Sequence, residues 1–210
     1  HDMILRLTDK AKKVVHVRKA LYYWRSHAGS VASGIGAKPY AIAAAKGAIA
    51  DHLQNHGMKH FQITSTKACE TIFRIRYEIL GNPKISIIIA NKDRAEDLDR
   101  CLRSIVEKST YKNYEIIIVE NNSTTEEIKD LYKKLTENYD FIKVVTFEGK
   151  FNYSAVNNLG VSFATGDYVL LLNNDTEVIT ENWMEELLMY AQREDVGAVG
   201  AKLLYPDKTV

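Results

Sequence analysis

Residues 84–210 alternate between short apolar runs and stretches whose apolar positions recur every three or four residues. The β-branched run at 85–90 predicts a buried strand, as do 115–119 and the wholly apolar 168–172. Residues 141–147 and 196–201 predict two more. Between the strands, Leu98, Cys101, Leu102 and Ile105 mark one face of a helix over 94–108. A second helix follows Ser123 or Thr124, either of which can cap it, with Glu126 and Glu127 in its first turn. A third covers 153–164 and ends at Thr165-Gly166-Asp167; a fourth covers 181–192, with Thr180 as its cap. Strands alternating with helices predict an α/β fold with a mostly parallel sheet and helices on both faces.

Before Gly81-Asn82-Pro83 the pattern changes to a basic, alanine-rich and mainly helical segment. Residues 2–17 predict a helix running into a short strand. Pro39 and Gly57 bracket a helix over 39–56, with Ile42, Ile49 and Leu53 as its apolar stripe. Residues 61–63 and 72–77 predict short strands. About 80 residues of this composition make a thin core by themselves, so the segment is expected to lean on something else.

Composition removes several classes of function. Basic and acidic residues nearly cancel, at 28 against 27, which disfavours nucleic acid as a partner. Two cysteines, Cys69 and Cys101, give neither a disulfide framework nor a zinc spacing. No apolar run approaches the roughly 20 residues that span a bilayer. His1-Asp2-Met3 does not open a signal peptide; both ends are expected to be artificial, the first a cloning scar or a cut inside a longer gene. A reducing, cytoplasmic location is expected, at the inner face of the membrane through the full-length protein.

In an open parallel sheet, ligands bind beyond the carboxyl ends of the strands. Three polar loops fall there: Asn91-Lys92-Asp93-Arg94, Glu120-Asn121-Asn122-Ser123 and Asn173-Asn174-Asp175-Thr176-Glu177. Singly, each reads as an ordinary turn. Together on one edge they suit a ligand rich in donors and acceptors, such as a nucleoside. No glycine-rich phosphate loop is present, so a diphosphate needs another source of positive charge. A hard divalent cation on carboxylate oxygens supplies it, with Asp175 and Glu177 as candidate ligands.

These loops and their strands resemble the first half of a family 2 glycosyltransferase of the GT-A (Rossmann-like) fold. The similar segments are 85–94, ending Ala-Asn-Lys-Asp-Arg; 114–123; 151–160, reading Phe-Asn-Tyr-Ser-Ala-Val-Asn-Asn-Leu-Gly; and 171–178, which ends in an Asn-Asn-Asp variant of the D-x-D motif. The family usually has a proline where Ala90 stands, and an aspartate at Glu120 and at Asn173. The resemblance implies that Ala90, Asn91, Asp93, Glu120 and Asn121 contact base and ribose, and that Asn152 and Asn158 line the donor pocket. It implies that Asn173 faces ribose or diphosphate, that Asp175 binds Mg²⁺ or Mn²⁺ with help from Glu177, and that Asn174 points away. The implied reaction moves a sugar with inversion from a UDP-, GDP- or dTDP-sugar to a glycan or other hydroxyl acceptor.

The first segment resembles the tail of such a module. Asp2, followed by an apolar helix with Arg6, is similar to the family's base motif, and 21–30, Leu-Tyr-Tyr-Trp-Arg-Ser-His-Ala-Gly-Ser, to its closing segment. Asp2 is then that module's general base, and Arg25 and His27 approach its donor diphosphate. The alternative is that Tyr22, Tyr23 and Trp24 form a core cluster and His27 lies on the surface. The expected organisation is a preceding-module tail at 1–36, a linker helix with short strands at 37–83, and a nucleotide-sugar-binding half at 84–210. Asp2 and Asp175 are expected to belong to different, incomplete sites, held apart by the helix over 39–56 as a spacer. Two rival functions remain open. A nucleotidyltransferase calls for a glycine-rich, lysine-bearing loop after the first strand, and a non-catalytic nucleotide-binding scaffold calls for binding without turnover.

Overall fold

The computed structural model describes residues 1–23 and 40–209. Arg25 and His27 lie outside the described residues. The chain forms two compact units, 1–78 and 79–210, so the boundary expected at 36 does not separate compact bodies.

In the first unit, α1 (Asp2–Lys10) packs against α2 (Tyr40–Asn55), followed by β1 (Phe61–Ser65) and β2 (Phe73–Tyr77). The helix expected over 2–17 stops at Lys10, because Ala11 turns extended. Beyond it, Lys12 and Lys13 and then the β-branched, exposed Val14, Val15 and Val17 favour neither helix nor a packed face. The short strand expected there does not form. Gly57, at φ +81°, ends α2: its N–H bonds Gln54 O and that of Met58 bonds Leu53 O. Strands β1 and β2 pair antiparallel, Phe61 opposite Tyr77.

The second unit is built on four parallel strands: β3 (Ile85–Asn91), β4 (Tyr114–Glu120), β5 (Ile142–Thr146) and β6 (Tyr168–Asn173), ordered β5-β4-β3-β6. Helices α3 (Ala95–Lys108), α4 (Glu126–Asn138) and α6 (Trp183–Ala191) cover one face, where Ile87, Ile89, Leu98, Leu102, Ile116, Ile128 and Met184 are fully buried. Helix α5 (Tyr153–Ser162) covers β3 and β4 on the other, with Val156 packed against Ile88, Ile117 and Val119. Gly160 permits that close approach, since a Cβ there would lie 2.4 Å from Ile88 Cγ2.

Two sequence expectations fail here. Residues 196–201 form no strand: Val-Gly-Ala-Val-Gly-Ala carries little side chain to bury, and most of it is exposed. Thr180 does not cap the last helix, which starts at Trp183 with Asn182 as its cap residue; Trp183 N–H bonds Thr180 O.

The amino end of the sheet is fastened by Glu115. Its buried carboxylate accepts from Ser86 Oγ (2.7 Å), Thr165 N (2.6 Å), Thr165 Oγ1 (2.9 Å) and Lys84 Nζ (3.2 Å). Burial alone would raise its pKa, but these donors outweigh burial and hold it at about 2. Gly166 belongs to the same corner, where a Cβ would meet Lys84 O at 2.6 Å.

Candidate functional site

The chain runs β3, β4, β5 in one direction across the sheet and then returns to place β6 on the far side of β3. The strand order therefore reverses between β3 and β6, which is where such sheets open a ligand crevice. In register, Ala90 lies beside Asn173 and Asn91 beside Glu120. All three polar loops thus leave the same edge, and a network of side chains ties them together.

Asn91 is the hub of that network. It is 4% exposed, and its Nδ2 donates to Asp93 O and to Tyr132 Oη, both at 2.8 Å. Its Oδ1 accepts from Asn174 Nδ2 at 2.6 Å, and its backbone O accepts from Asn121 N at 2.9 Å. Tyr132 Oη donates in turn to Glu120 Oε2 at 2.6 Å. Burial first, and then that carboxylate, push the tyrosine pKa well above its ordinary value. Glu120 also accepts from the backbone N–H and the hydroxyl of Ser123, and Ser123 Oγ accepts from Asp93 N at 2.7 Å.

Several expected ligand contacts are therefore interior fasteners. Asn91 has every side-chain polar atom engaged by protein. Asn121, 2% exposed, donates to Phe147 O and Gly149 O, both at 3.0 Å, so its side chain closes the β4–β5 edge. Asn174 clamps the β6 loop to the β3 loop through Asn91. Asp93 Oδ1 accepts from the N–H groups of Thr124 and Thr125 at 2.7 and 3.1 Å. It thus serves the entry of α4 in place of the expected Ser123 or Thr124 cap. Those two N–H groups hold its pKa below the usual carboxylate range. Glu177 is engaged by a lysine. Its Oε1 is bound by Lys108 Nζ at 2.7 Å, which lowers its pKa.

What remains open along the edge is a smaller set. Asn158, Asn173 and Asp175 are exposed, and Ala90, Asp93 and Glu120 are half-buried. Asn152 is exposed and caps α5, its Oδ1 accepting from Ala155 N at 3.0 Å. Asp175 sits in the turn after β6, held by Thr176 Oγ1 bonding Asn173 O at 2.9 Å. Its carboxylate makes no hydrogen bond or ion pair among the described residues. Buried Cys101 lies under this turn, its Sγ 3.7 Å from Asn173 O; burial pushes the thiol pKa up. Asp93, Arg94 and Asn122 all take left-handed backbone, with φ of 51°, 52° and 57°. Such conformations gather where a fold over-determines a loop.

An unpaired carboxylate suits a hard divalent cation, which is commonly held by one or two carboxylates with phosphate oxygens and water completing the shell. Asp2, in the first unit, accepts instead from Arg6 Nε at 2.8 Å on an exposed helix turn.

Residues 86–210, more than half of the chain, match the sequence model of the family described as glycosyl transferase family 2. The chain belongs to that family. This family 2 chain is 36% identical over 210 residues to the O-antigen biosynthesis protein RfbC of Myxococcus xanthus, spanning 100% of this chain and 16% of RfbC. It is 35% identical over 209 residues to the protein y4gI of Sinorhizobium fredii, spanning 99% of this chain and 23% of y4gI. The chain thus spans less than a quarter of either relative. In fold it is similar to the mannosyltransferase PcManGT of Pyrobaculum calidifontis, a structure in complex with GDP-Man and Mn²⁺. That similarity has a TM-score of 0.52 and 14% identity, and it covers 76% of this chain and 43% of that one. GalNAc-T7, solved with UDP, GalNAc and Mn²⁺, gives 0.52 at 19% identity, over 62% of this chain and 24% of its own. The GT-A fold expected from sequence is thereby shown. Among the described residues no helix is long and apolar enough to cross a membrane.

Tyr132 and Ser123, central to the network, carried no sequence signal of function. Tyr132 lies mid-helix, twelve residues after its partner Glu120, with nothing local to link them. Ser123 read as a cap candidate and as the last residue of a polar edge loop, with no role of its own.

Proposed function

We propose that the second unit binds the nucleoside diphosphate of a UDP-, GDP- or dTDP-sugar across the β3–β6 edge, and that it serves an inverting glycosyl transfer to a glycan or other hydroxyl acceptor. The observation that carries this reading is the unpaired Asp175 carboxylate, held at the point of strand reversal by a loop clamped through Asn174 to Asn91. Ala90, Asp93 and Glu120 offer the half-buried rim for base and ribose, and Asn152 and Asn158 line the side toward α5. Asn173 and Asp175 take the diphosphate end, where Asp175 would hold Mg²⁺ or Mn²⁺. That cation, when bound, offsets charge on the departing nucleoside diphosphate. A carboxylate must still accept the proton of the attacking hydroxyl, and the family's base follows the D-x-D strand in the second half of its domain.

Residues 1–36 would be the tail of a preceding module, with Asp2 as its base and Arg25 and His27 as its donor-diphosphate residues. Identity to RfbC that runs through residues 1–83 as well as the family segment supports a tandem protein of this order. The test is nucleoside diphosphate release by the full-length tandem protein, with the anomeric configuration of the product followed by NMR. Transfer with inversion is expected. Donor binding without any release would instead favour a nucleotide-binding scaffold.

A further inference from the structure

Away from the sheet edge, the first unit gathers Asp9 of α1 with His52 and His56, one helical turn apart at the end of α2. Their ligand atoms all lie within 4.8 Å of one another. His52 Nδ1 is 3.3 Å from Asp9 Oδ2, and His56 Nε2 is 3.5 Å from Asp9 Oδ1. Two ligands at about 2.0–2.1 Å in tetrahedral array around Zn²⁺ stand roughly 3.3–3.5 Å apart, so both separations fit donors sharing one ion.

The His56 ring is oriented by its neighbour: its Nδ1 lies 2.8 Å from His52 O, which turns Nε2 toward Asp9. An imidazole whose other nitrogen donates to a backbone carbonyl is also the usual second-sphere arrangement of a metal-bound histidine.

We propose that Asp9, His52 and His56 form a binding site for one borderline divalent transition metal, Zn²⁺ by donor type, with water completing the shell. Two imidazoles distinguish it from the oxygen-only chemistry of the donor edge. Access is open, because Asp9 also lines a cleft between the helices with Arg6, Lys10, Asp51, Gln54 and Asn55. The bound ion clips α1 to α2. Helix α1 buries no side chain and leaves Met3, Ile4 and Leu7 exposed, so apolar packing contributes little to holding it, and a metal crosslink supplies what the thin core lacks.

The test is a Co²⁺ titration of the whole 210-residue chain in chelator-free buffer, read by d–d absorption. One equivalent with the intensity of a four-coordinate site is expected, displaced by one equivalent of Zn²⁺. His56→Ala and Asp9→Asn should each weaken binding at least about tenfold. Far-UV circular dichroism checks that the variants fold. For any variant that does not, NMR of the wild-type histidine rings decides, with His52 and His56 shifting together at one equivalent of Zn²⁺. No band at one equivalent, unchanged affinity in folded Asp9→Asn, or histidine shifts at other positions only would overturn the site.

Discussion

Asn174 and Asp175 are adjacent, yet the structure gives them opposite duties. Asn174 supplies the only side-chain bond described to the buried Oδ1 of Asn91, so Asn174→Ala leaves that oxygen unpartnered. A loss of about 1–3 kcal/mol in folding stability is expected, measured by urea denaturation, while nucleotide binding still requires a cation. The Asp175 carboxylate makes no hydrogen bond or ion pair among the described residues, so Asp175→Ala should leave the denaturation midpoint in place and remove cation-dependent binding. Equal stability losses in the two variants would contradict this division. At the other end of the sheet, Glu115 sets acid stability. Its carboxyl sits at about 2 in the fold against an ordinary 4.5. Its contribution is therefore complete above about pH 4.5 and lost as pH falls through about 2, amounting to roughly 3 kcal/mol. Glu115→Gln should flatten the acid limb of a stability-against-pH curve; an unchanged limb would refute the assignment.

At the scale of elements, α5 is the helix packed over β3 and β4 on its face of the sheet, and Gly160 sets how closely it sits. Gly160→Ala pushes a methyl into Ile88 and Val119 and is expected to destabilise by about 1–3 kcal/mol, read as a lower Tm. No change in Tm would mean that α5 shifts without penalty. The central strands were legible in the sequence because burial on both faces leaves a continuous apolar run, as at 85–90 and 115–119. Helix α3 was legible because its buried positions follow one stripe. Residues 196–201 misled because an apolar run made mostly of Gly and Ala has too little side chain to bury for a strand to gain from packing. The edge loops were legible as a set, but the inward or outward turn of each asparagine was not. Asn91 and Asn121 look the same as Asn158 and Asn173 in sequence, and only the partners reached through the fold separate buried fasteners from exposed groups.

At the scale of the molecule, the chain is two compact units of different character. The first has a thin core, with α1 lying on its surface; the second is a well-packed four-stranded sheet whose carboxyl edge gathers three clamped loops. Asp2 belongs to the first and Asp175 to the second. The claim on which the functional reading stands is that the edge of the second unit takes a nucleoside diphosphate through a cation on Asp175. Isothermal titration calorimetry with UDP and with GDP, each in Mn²⁺ and in EDTA, on the wild-type chain and on Asp175→Ala, tests it directly. Saturable binding of at least one nucleotide that requires Mn²⁺ and disappears in Asp175→Ala is the expected result; binding that is equal in EDTA, or that survives in Asp175→Ala, would contradict it.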